Sequence, residues 1–223
     1  MKKATIIFFA AIIFFTCIMI SGCVSTREAT KKQILNLNTQ HFKDTIIIKH
    51  VSSGDVTKFS TLRGYRHEKY LGIGWLDSFL IGYLNTITGK RSYQVYQFIS
   101  YQGRGWRGYH RVDYQTPEEI KSKPLTSYHR EIMNCSSSRT CTYEEHVVFD
   151  IEEALLRQIA ARAPETQGKT TDRGKVSAFL YQLSSQQGHN ITYWLLPTEV
   201  AALMEVMDEY TGQATSQPHD LMK

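Results

Sequence analysis

The chain has 223 residues, of which 42% are hydrophobic, and its 26 Lys and Arg against 21 Asp and Glu give a formal net charge of +5. This length is enough for one domain with a substantial core, or at most two small ones, and we expect one. The charge is too small to indicate a nucleic-acid-binding protein, and we expect no nucleic acid among its partners.

The first 22 residues are arranged like an export signal. Two lysines form a short positive region, residues 4–20 are almost entirely apolar, and two small residues precede Cys23. This ending resembles the lipobox of bacterial lipoproteins. The resemblance implies that residues 1–22 are removed and that acylated Cys23 attaches the mature chain to the lipid bilayer. An uncleaved membrane anchor is the alternative, because about 20 apolar residues can span a bilayer.

Val24 and the N-terminal lysines bear on the location of the protein. In Gram-negative lipoproteins an aspartate after the lipidated cysteine tends to retain the protein in the inner membrane, so Val24 implies the outer membrane. Lysines stay on the cytoplasmic side of an apolar segment, which puts the rest of the chain outside the cytoplasm whether or not cleavage occurs. We therefore expect an outer-membrane lipid anchor in the cell envelope, with the domain facing the periplasm.

Composition divides the mature chain into three parts. Residues 23–43 are rich in Ser, Thr, Lys, Gln and Asn, which indicates a lipidated N-terminus followed by a flexible tether. Residues 44–210 are predicted to form the single domain, and the polar residues 211–223 are predicted to be a loose tail.

Short runs of β-branched and aromatic residues, separated by glycines and polar turns, predict strands. These strands cover residues 45–50, 56–62, 79–84, 92–101, 106–114, 125–134, 142–150, 176–183 and 191–196. Residues 86–90 are predicted to be the turn of a β-hairpin, and residues 116–124 a polar connection.

Two helices are predicted in the C-terminal half. Residues 151–162 follow Asp150 at the cap position, with Glu153 three residues later, as in a capping box. Residues 197–210 begin with a proline and carry an apolar stripe, whose exposure would favour a role in envelope assembly. Runs of strands with two late helices predict an α+β fold with a mainly antiparallel β-sheet. A β-sandwich with accessory helices is the alternative.

Cys135 and Cys141 are the cysteines that remain after Cys17 leaves with the signal and Cys23 takes the lipid. In an oxidising compartment such a pair predicts a disulfide bond. A redox pair or a metal site is the alternative. Redox dithiols usually have two intervening residues, however, and the chain has no second cysteine pair for zinc.

The residues from Gly103 to Gly108 match G-x-G-x-x-G, the pattern of dinucleotide-binding loops. That motif works at the start of a helix, whose N-terminus faces the pyrophosphate. Here both flanking runs predict strands, so we interpret the pattern as a turn followed by a strand. We expect no cofactor and no metal.

Aromatic and arginine side chains alternate around this turn. Aromatic faces stack on sugar rings, and arginines pair with phosphate or carboxylate groups. Candidate ligand-binding residues, for an envelope glycan or a protein partner, are therefore Arg104, Trp106, Arg107, Tyr109 and Arg111. The alternative is that these residues supply the two faces of ordinary strands, and joint exposure of the aromatic and basic side chains would favour binding.

A second candidate site follows from the predicted disulfide. If Cys135 lies directly opposite Cys141 in an unbroken antiparallel ladder, Glu131 faces Glu145, and His129 lies two residues farther along. Two carboxylates near a histidine could share a proton or hold a metal ion. Directly opposed like charges are destabilising, however, and a bulge would separate them. Solvated surface charge is the alternative interpretation.

Four short segments carry a second resemblance: residues 74–77, 88–89, 93–96 and 105–109. They look like a group of uncharacterised Gram-negative envelope lipoproteins with a similar aromatic core. This resemblance implies the class of protein and supplies no catalytic residues. We therefore expect a non-enzymatic binding or envelope-assembly domain, and the alternative is a periplasmic hydrolase or metal-dependent enzyme that uses Glu131, Glu145 and His129.

Overall fold

The computed structural model describes residues 37–51, 54–64, 76–136, 139–163 and 178–216. The predicted signal peptide, Cys23 and the predicted tether as far as residue 36 lie outside these residues, as does the end of the predicted tail. None of the helices in these described ranges is long and apolar enough to cross a membrane.

The described residues contain ten strands. They are β1 (Ile47–His50), β2 (Val56–Ser60), β3 (Leu76–Asn85), β4 (Arg91–Gly103), β5 (Tyr109–Gln115), β6 (Ile120–Pro124), β7 (Thr126–Cys135), β8 (Cys141–Asp150), β9 (Phe179–Ser185) and β10 (Ile191–Leu195). The same residues contain three helices, α1 (Thr39–Thr45), α2 (Glu153–Ala160) and α3 (Pro197–Ser216).

All strand pairs are antiparallel, and they form two sheets. The larger sheet has the order β1-β2-β3-β4-β8-β7, and the smaller sheet has the order β10-β9-β5-β6. The prediction of a mainly antiparallel α+β fold is confirmed at this level. The helix count differs, because the prediction had two helices and the described residues include α1 as a third.

Strand β4 lies in the middle of the larger sheet, and its burial alternates along the chain. Tyr93, Val95, Gln97, Ile99 and Tyr101 are buried and point to the inner face, which is the face turned toward the smaller sheet. The strand pairs with β3 on one side and with β8 on the other. The side chains on this inner face form one side of the hydrophobic core.

The two sheets pack through aromatic rings. Phe149 of the larger sheet contacts Tyr114 and Tyr181 of the smaller one, with ring centroids 6.2 Å and 5.4 Å apart. The buried Tyr181 hydroxyl donates to Gln97 Oε1 at 2.7 Å and lies 2.7 Å from Ser78 Oγ. Because both of these partners belong to the larger sheet, the hydroxyl ties the sheets together without leaving a buried polar group unsatisfied.

Helix α3 packs on the inner face beside the smaller sheet. Gly82 allows its close approach, because a Cβ at this position would lie 2.3 Å from Met207 Sδ. Phe59 of β2 also contacts Tyr210, with ring centroids 5.3 Å apart. The apolar stripe predicted on this helix, including Val200 and Leu203, is therefore buried in the core, so it offers no exposed surface for assembly.

Helix α1 lies in a segment that we predicted to be tether. The Phe42 ring is completely buried, and Lys43 forms ion pairs with Glu205 at 3.2 Å and Glu209 at 2.7 Å on α3. The helix has seven residues and buries only Phe42, so its sequence carries no recognisable apolar stripe. Long-range packing therefore forms this helix.

Three local predictions were wrong. Residues 120–124, predicted to be a connection, form β6 by pairing with β5. Helix α2 starts after Glu152, which makes no side-chain capping bond, and Asp150 ends β8 and accepts a hydrogen bond from Gln94. Helix α3 continues to Ser216, beyond the predicted end at residue 210.

Cys135 and Cys141 form the predicted disulfide at the end of the β7–β8 hairpin. Beyond the disulfide, β7 and β8 do not pair in the unbroken ladder that we expected. An extra residue on β7 between Ile132 and Cys135 shifts the register by one, so that Ile132 lies opposite Tyr143. A one-residue shift reverses the face to which each β7 side chain points relative to β8, which decides the chemistry of this edge of the sheet.

Candidate functional site: a basic cleft anchored by a buried glutamate

Glu145 is a fully buried carboxylate on the inner face of β8, and it holds the loop between β4 and β5. Its Oε1 accepts hydrogen bonds from the backbone N–H groups of Arg107 at 3.0 Å and Gly108 at 3.1 Å. Its Oε2 accepts from the backbone N–H of Tyr109 at 3.4 Å. Three consecutive N–H groups therefore converge on one carboxylate, as in an anion-binding nest.

Two side chains complete the surroundings of Glu145. The Tyr101 hydroxyl donates to Oε1 at 2.5 Å and accepts from the Arg107 N–H at 2.7 Å. Burial and the neighbouring carboxylate raise the pKa of Tyr101, so its hydroxyl remains a donor. Arg130 of β7 lies opposite Glu145, with Nη2 3.4 Å from Oε2. Both carboxylate oxygens are thus engaged, and Glu145 serves as an anchor for the loop.

Glycine is required at one position of this loop. Gly108 has a φ of +66°, which side chains other than glycine rarely adopt, and a Cβ there would lie 3.0 Å from Gln186 Oε1. The strand β5 follows at Tyr109, with no helix at this point. The glycine pattern is therefore a turn that leads into a strand, as we interpreted it from the sequence.

Ring contacts hold the side chains of the loop against the sheet. The Arg107 guanidinium carbon lies 4.0 Å from the Tyr101 ring centroid, in a cation–π arrangement. Trp106 meets Tyr143 edge to face at 4.8 Å, and the Arg130 guanidinium lies 5.8 Å from the Trp106 ring. The loop is therefore positioned by rings and backbone bonds before any ligand arrives.

A cleft of about 380 Å³ opens beside the loop. It is lined by Tyr101, Gln102, Gly103, Arg104, Gly105, Arg107, Gln187 and His189. Gln187 and His189 come from the turn between β9 and β10, and the other lining residues come from the end of β4 and the β4–β5 loop. The cleft therefore lies between these two connections. Among the described residues, its lining carries two guanidinium groups and no carboxylate, which makes it suited to an anionic ligand.

The predicted ligand-binding residues divide between this cleft and the protein interior. Arg104 is exposed and Arg107 half-buried, and both line the cleft. Trp106 is half-buried against the core, and Tyr109 is only 2% exposed, so its ring is not available to a surface ligand. Arg111 is exposed on β5 and pairs with the Asp113 carboxylate at 3.2 Å. Of the five predicted residues, Arg104 and Arg107 are therefore the two that line the same cavity.

Glu131, Glu145 and His129 do not converge on one site. The shifted register places Glu131 opposite Glu144 and His129 opposite His146, on the outer face of the sheet. His129 Nε2 lies 3.4 Å from Glu131 Oε2, with both side chains about half exposed, whereas Glu145 is buried on the other face. Within the described residues, no cluster of three or more His, Cys, Asp or Glu could hold a metal ion.

Sequence reasoning missed the role of Glu145, although a signal was present. Strand β8 alternates, and its inward positions are Tyr143, Glu145, Val147 and Phe149. A single carboxylate in an otherwise apolar inward row requires a buried partner. The alternation thus marks Glu145, but it does not identify the loop that supplies the partners.

Comparison of the chain with models of known protein families, with curated proteins and with solved structures finds no match.

Proposed function

We propose that this chain is an outer-membrane-anchored lipoprotein whose domain binds an anionic envelope component in the basic cleft and performs no catalysis. Acylated Cys23 is the anchor, and a polyanionic glycan such as lipopolysaccharide is the ligand. The observation that carries the proposal is the position of Arg104 and Arg107 in one cleft, whose lining includes no carboxylate among the described residues. Guanidinium groups bind phosphate and carboxylate groups through paired hydrogen bonds, which suits such a ligand.

The anchored loop supports a binding role. Because Glu145 holds three consecutive backbone N–H groups, the loop does not have to be ordered when the ligand binds. Preorganisation of this kind increases affinity by reducing the entropy lost on association. The cleft also has side walls from two connections, which allows recognition of shape as well as charge.

The non-enzymatic part of the proposal rests on the contacts of Glu145. A general acid or base must reach the proton that it transfers. Both oxygens of Glu145 already accept hydrogen bonds from the loop, and Arg130 lies beside Oε2. Glu131 and His129 point to the opposite face of the sheet, so they are not positioned to assist it.

Binding of the mature chain, with Cys23 replaced by Ser for solubility, to immobilised lipopolysaccharide tests the proposal. The double variant Arg104→Gln/Arg107→Gln should weaken binding at least roughly tenfold, since each charge-assisted contact is worth about 1.5–3 kcal/mol. The matched control is Lys90→Gln/Arg162→Gln, which removes two exposed charges outside the cleft. Equal losses in the two double variants would indicate attraction by net charge and would contradict a specific cleft.

A further inference from the structure

A groove of about 260 Å³ lies on the outer face of the larger sheet, away from the smaller sheet and the core. Aromatic rings from three strands line it. Phe79 and Tyr96 stack with ring centroids 4.6 Å apart, and Tyr128 meets Tyr96 edge to face at 5.5 Å. Tyr83 also lines the groove, and Tyr128 is 70% exposed. An outer sheet face is ordinarily polar, so this row of rings is unusual.

Two lysines face each other at one end of this groove. Lys49 of β1 and Lys58 of β2 are direct cross-strand partners, so both side chains project from the same face, and both line the groove. Like charges in this position destabilise a sheet. Within the described residues neither ammonium group forms an ion pair with a carboxylate, and Lys58 Nζ lies 5.9 Å from the Tyr83 ring centroid.

The environment of Lys58 favours the binding of an anionic group. Burial and then the charge of Lys49 lower the pKa of Lys58. An anionic group between the two ammonium groups would reverse this effect, since an opposite charge favours the protonated form. The repulsion between the two lysines would then become attraction to a shared partner.

We propose that this groove binds one acidic sugar residue, with its carboxylate between Lys49 and Lys58 and its ring against Phe79 and Tyr83. The volume lies just below the usual range for small-molecule sites, which suits a single sugar unit. A sugar has an apolar C–H face and a hydroxyl edge. The groove supplies ring faces together with the Gln94 amide and tyrosine hydroxyls, which match these two features. This site is separate from the basic cleft, since the described residues that line the two cavities are all different.

Titration of the mature Cys23→Ser chain with glucuronate, glucose and inorganic phosphate, followed by NMR chemical-shift changes, tests this inference. We expect glucuronate to bind at least roughly tenfold more tightly than either other probe, because only glucuronate combines ring stacking with a charge. The double variant Lys49→Gln/Lys58→Gln should lose at least roughly tenfold of the glucuronate affinity. It should also melt at a higher temperature without ligand, since it removes a repulsive pair, so misfolding cannot explain the loss.

Matched controls separate this site from the cleft. Lys90→Gln removes an exposed lysine outside the groove and should leave glucuronate binding unchanged. Arg104→Gln/Arg107→Gln should also leave it unchanged, even if lipopolysaccharide binding in the cleft is lost. Phosphate binding as tight as glucuronate binding would overturn the sugar assignment. Absence of glucuronate binding, or an equal loss in Lys90→Gln, would overturn the site itself.

Discussion

Arg130 and Glu145 lie directly opposite each other on β7 and β8, with the guanidinium 3.4 Å from a carboxylate that is completely buried. The pairing depends on the extra residue between Ile132 and Cys135. Without it, Glu131 would face Glu145, and two like charges would be opposed at the edge of the core. The bulge therefore gives Glu145 an arginine as its cross-strand partner and places Glu131 opposite Glu144 on the outer face instead. Glu145 is thus able to hold the β4–β5 loop.

Glu145→Gln should destabilise the protein strongly, because the new amide group would present donors to the loop N–H groups and to Arg130. We expect the free energy of unfolding to fall by roughly 3–5 kcal/mol, as for other broken buried pairs. Urea unfolding measures this change. Glu131→Gln, at an exposed position on the neighbouring strand, should change stability by less than about 0.5 kcal/mol. Similar losses in both variants would show that Glu145 is not an anchor.

Reduction of the Cys135–Cys141 bridge should lower the free energy of unfolding by about 2.4 kcal/mol, the loop-closure term for so short a loop. Urea unfolding with and without a reductant measures the difference. The double variant Cys135→Ala/Cys141→Ala should be less stable than the oxidised protein and insensitive to the reductant. Labelling of free thiols at both cysteines in oxidised protein would contradict the bridge.

Glu199 should make the protein less stable as the pH rises. Burial raises the pKa of Glu199 to about 8 from an ordinary value of 4.5, although the Thr61 hydroxyl donates to it at 2.5 Å. The folded state therefore keeps a proton that the unfolded chain has lost. The contribution of Glu199 to the free energy of unfolding is fully present below pH 4.5. It falls by about 1.4 kcal/mol per pH unit as the pH rises from 4.5 to about 8.

Glu199→Gln should flatten this pH dependence and increase stability at pH 8 relative to the original protein. Thermal unfolding across the pH range measures the effect. The control Glu118→Gln removes an exposed carboxyl and should leave the slope unchanged. A slope that persists in Glu199→Gln would assign the pH dependence to another group. The first candidate would be Asp77, whose charge also raises the pKa of Glu199.

Phe42→Ala should show whether α1 belongs to the domain. The Phe42 ring is fully buried and lies against Gly64, where an added Cβ would come within 2.4 Å of it. Its removal should lower the free energy of unfolding by roughly 3–5 kcal/mol. Gln40→Ala, on the exposed side of the same helix, should cost less than about 0.5 kcal/mol. An unchanged free energy of unfolding in Phe42→Ala would indicate that this segment belongs to the predicted tether and not to the domain.

Cys23→Ser should release the protein from the membrane fraction, because the acyl chains that we propose as its anchor could no longer be attached. Fractionation of cells that express the original and the variant chain measures the release. Mass analysis of the original product should also show loss of residues 1–22 and an added acyl mass. A variant that still requires detergent for extraction would point to a retained apolar helix.

Local signals in the sequence were sufficient for much of the fold. The β3–β4 hairpin was predicted because its strands are rich in apolar, β-branched and aromatic residues and because residues 86–90 suit a turn. In the structure, Asn85 Oδ1 accepts from the N–H groups of Ile87 and Thr88 in this turn. The Cys135–Cys141 bridge was predicted because the two cysteines are close in the chain and no others remain for pairing. Each of these features depends on residues that are near one another in sequence.

The sequence by itself determined the antiparallel class, most strands and the disulfide, since runs of β-branched and aromatic residues, turn residues and cysteine spacing are local features of the chain. Only the tertiary structure decided the β7–β8 register, the docking of Phe42, and the convergence of the Arg107–Tyr109 backbone on Glu145. These features join segments that are far apart in the chain. Their energies come from burial and from hydrogen bonds to distant partners, which leave no periodic pattern in the sequence.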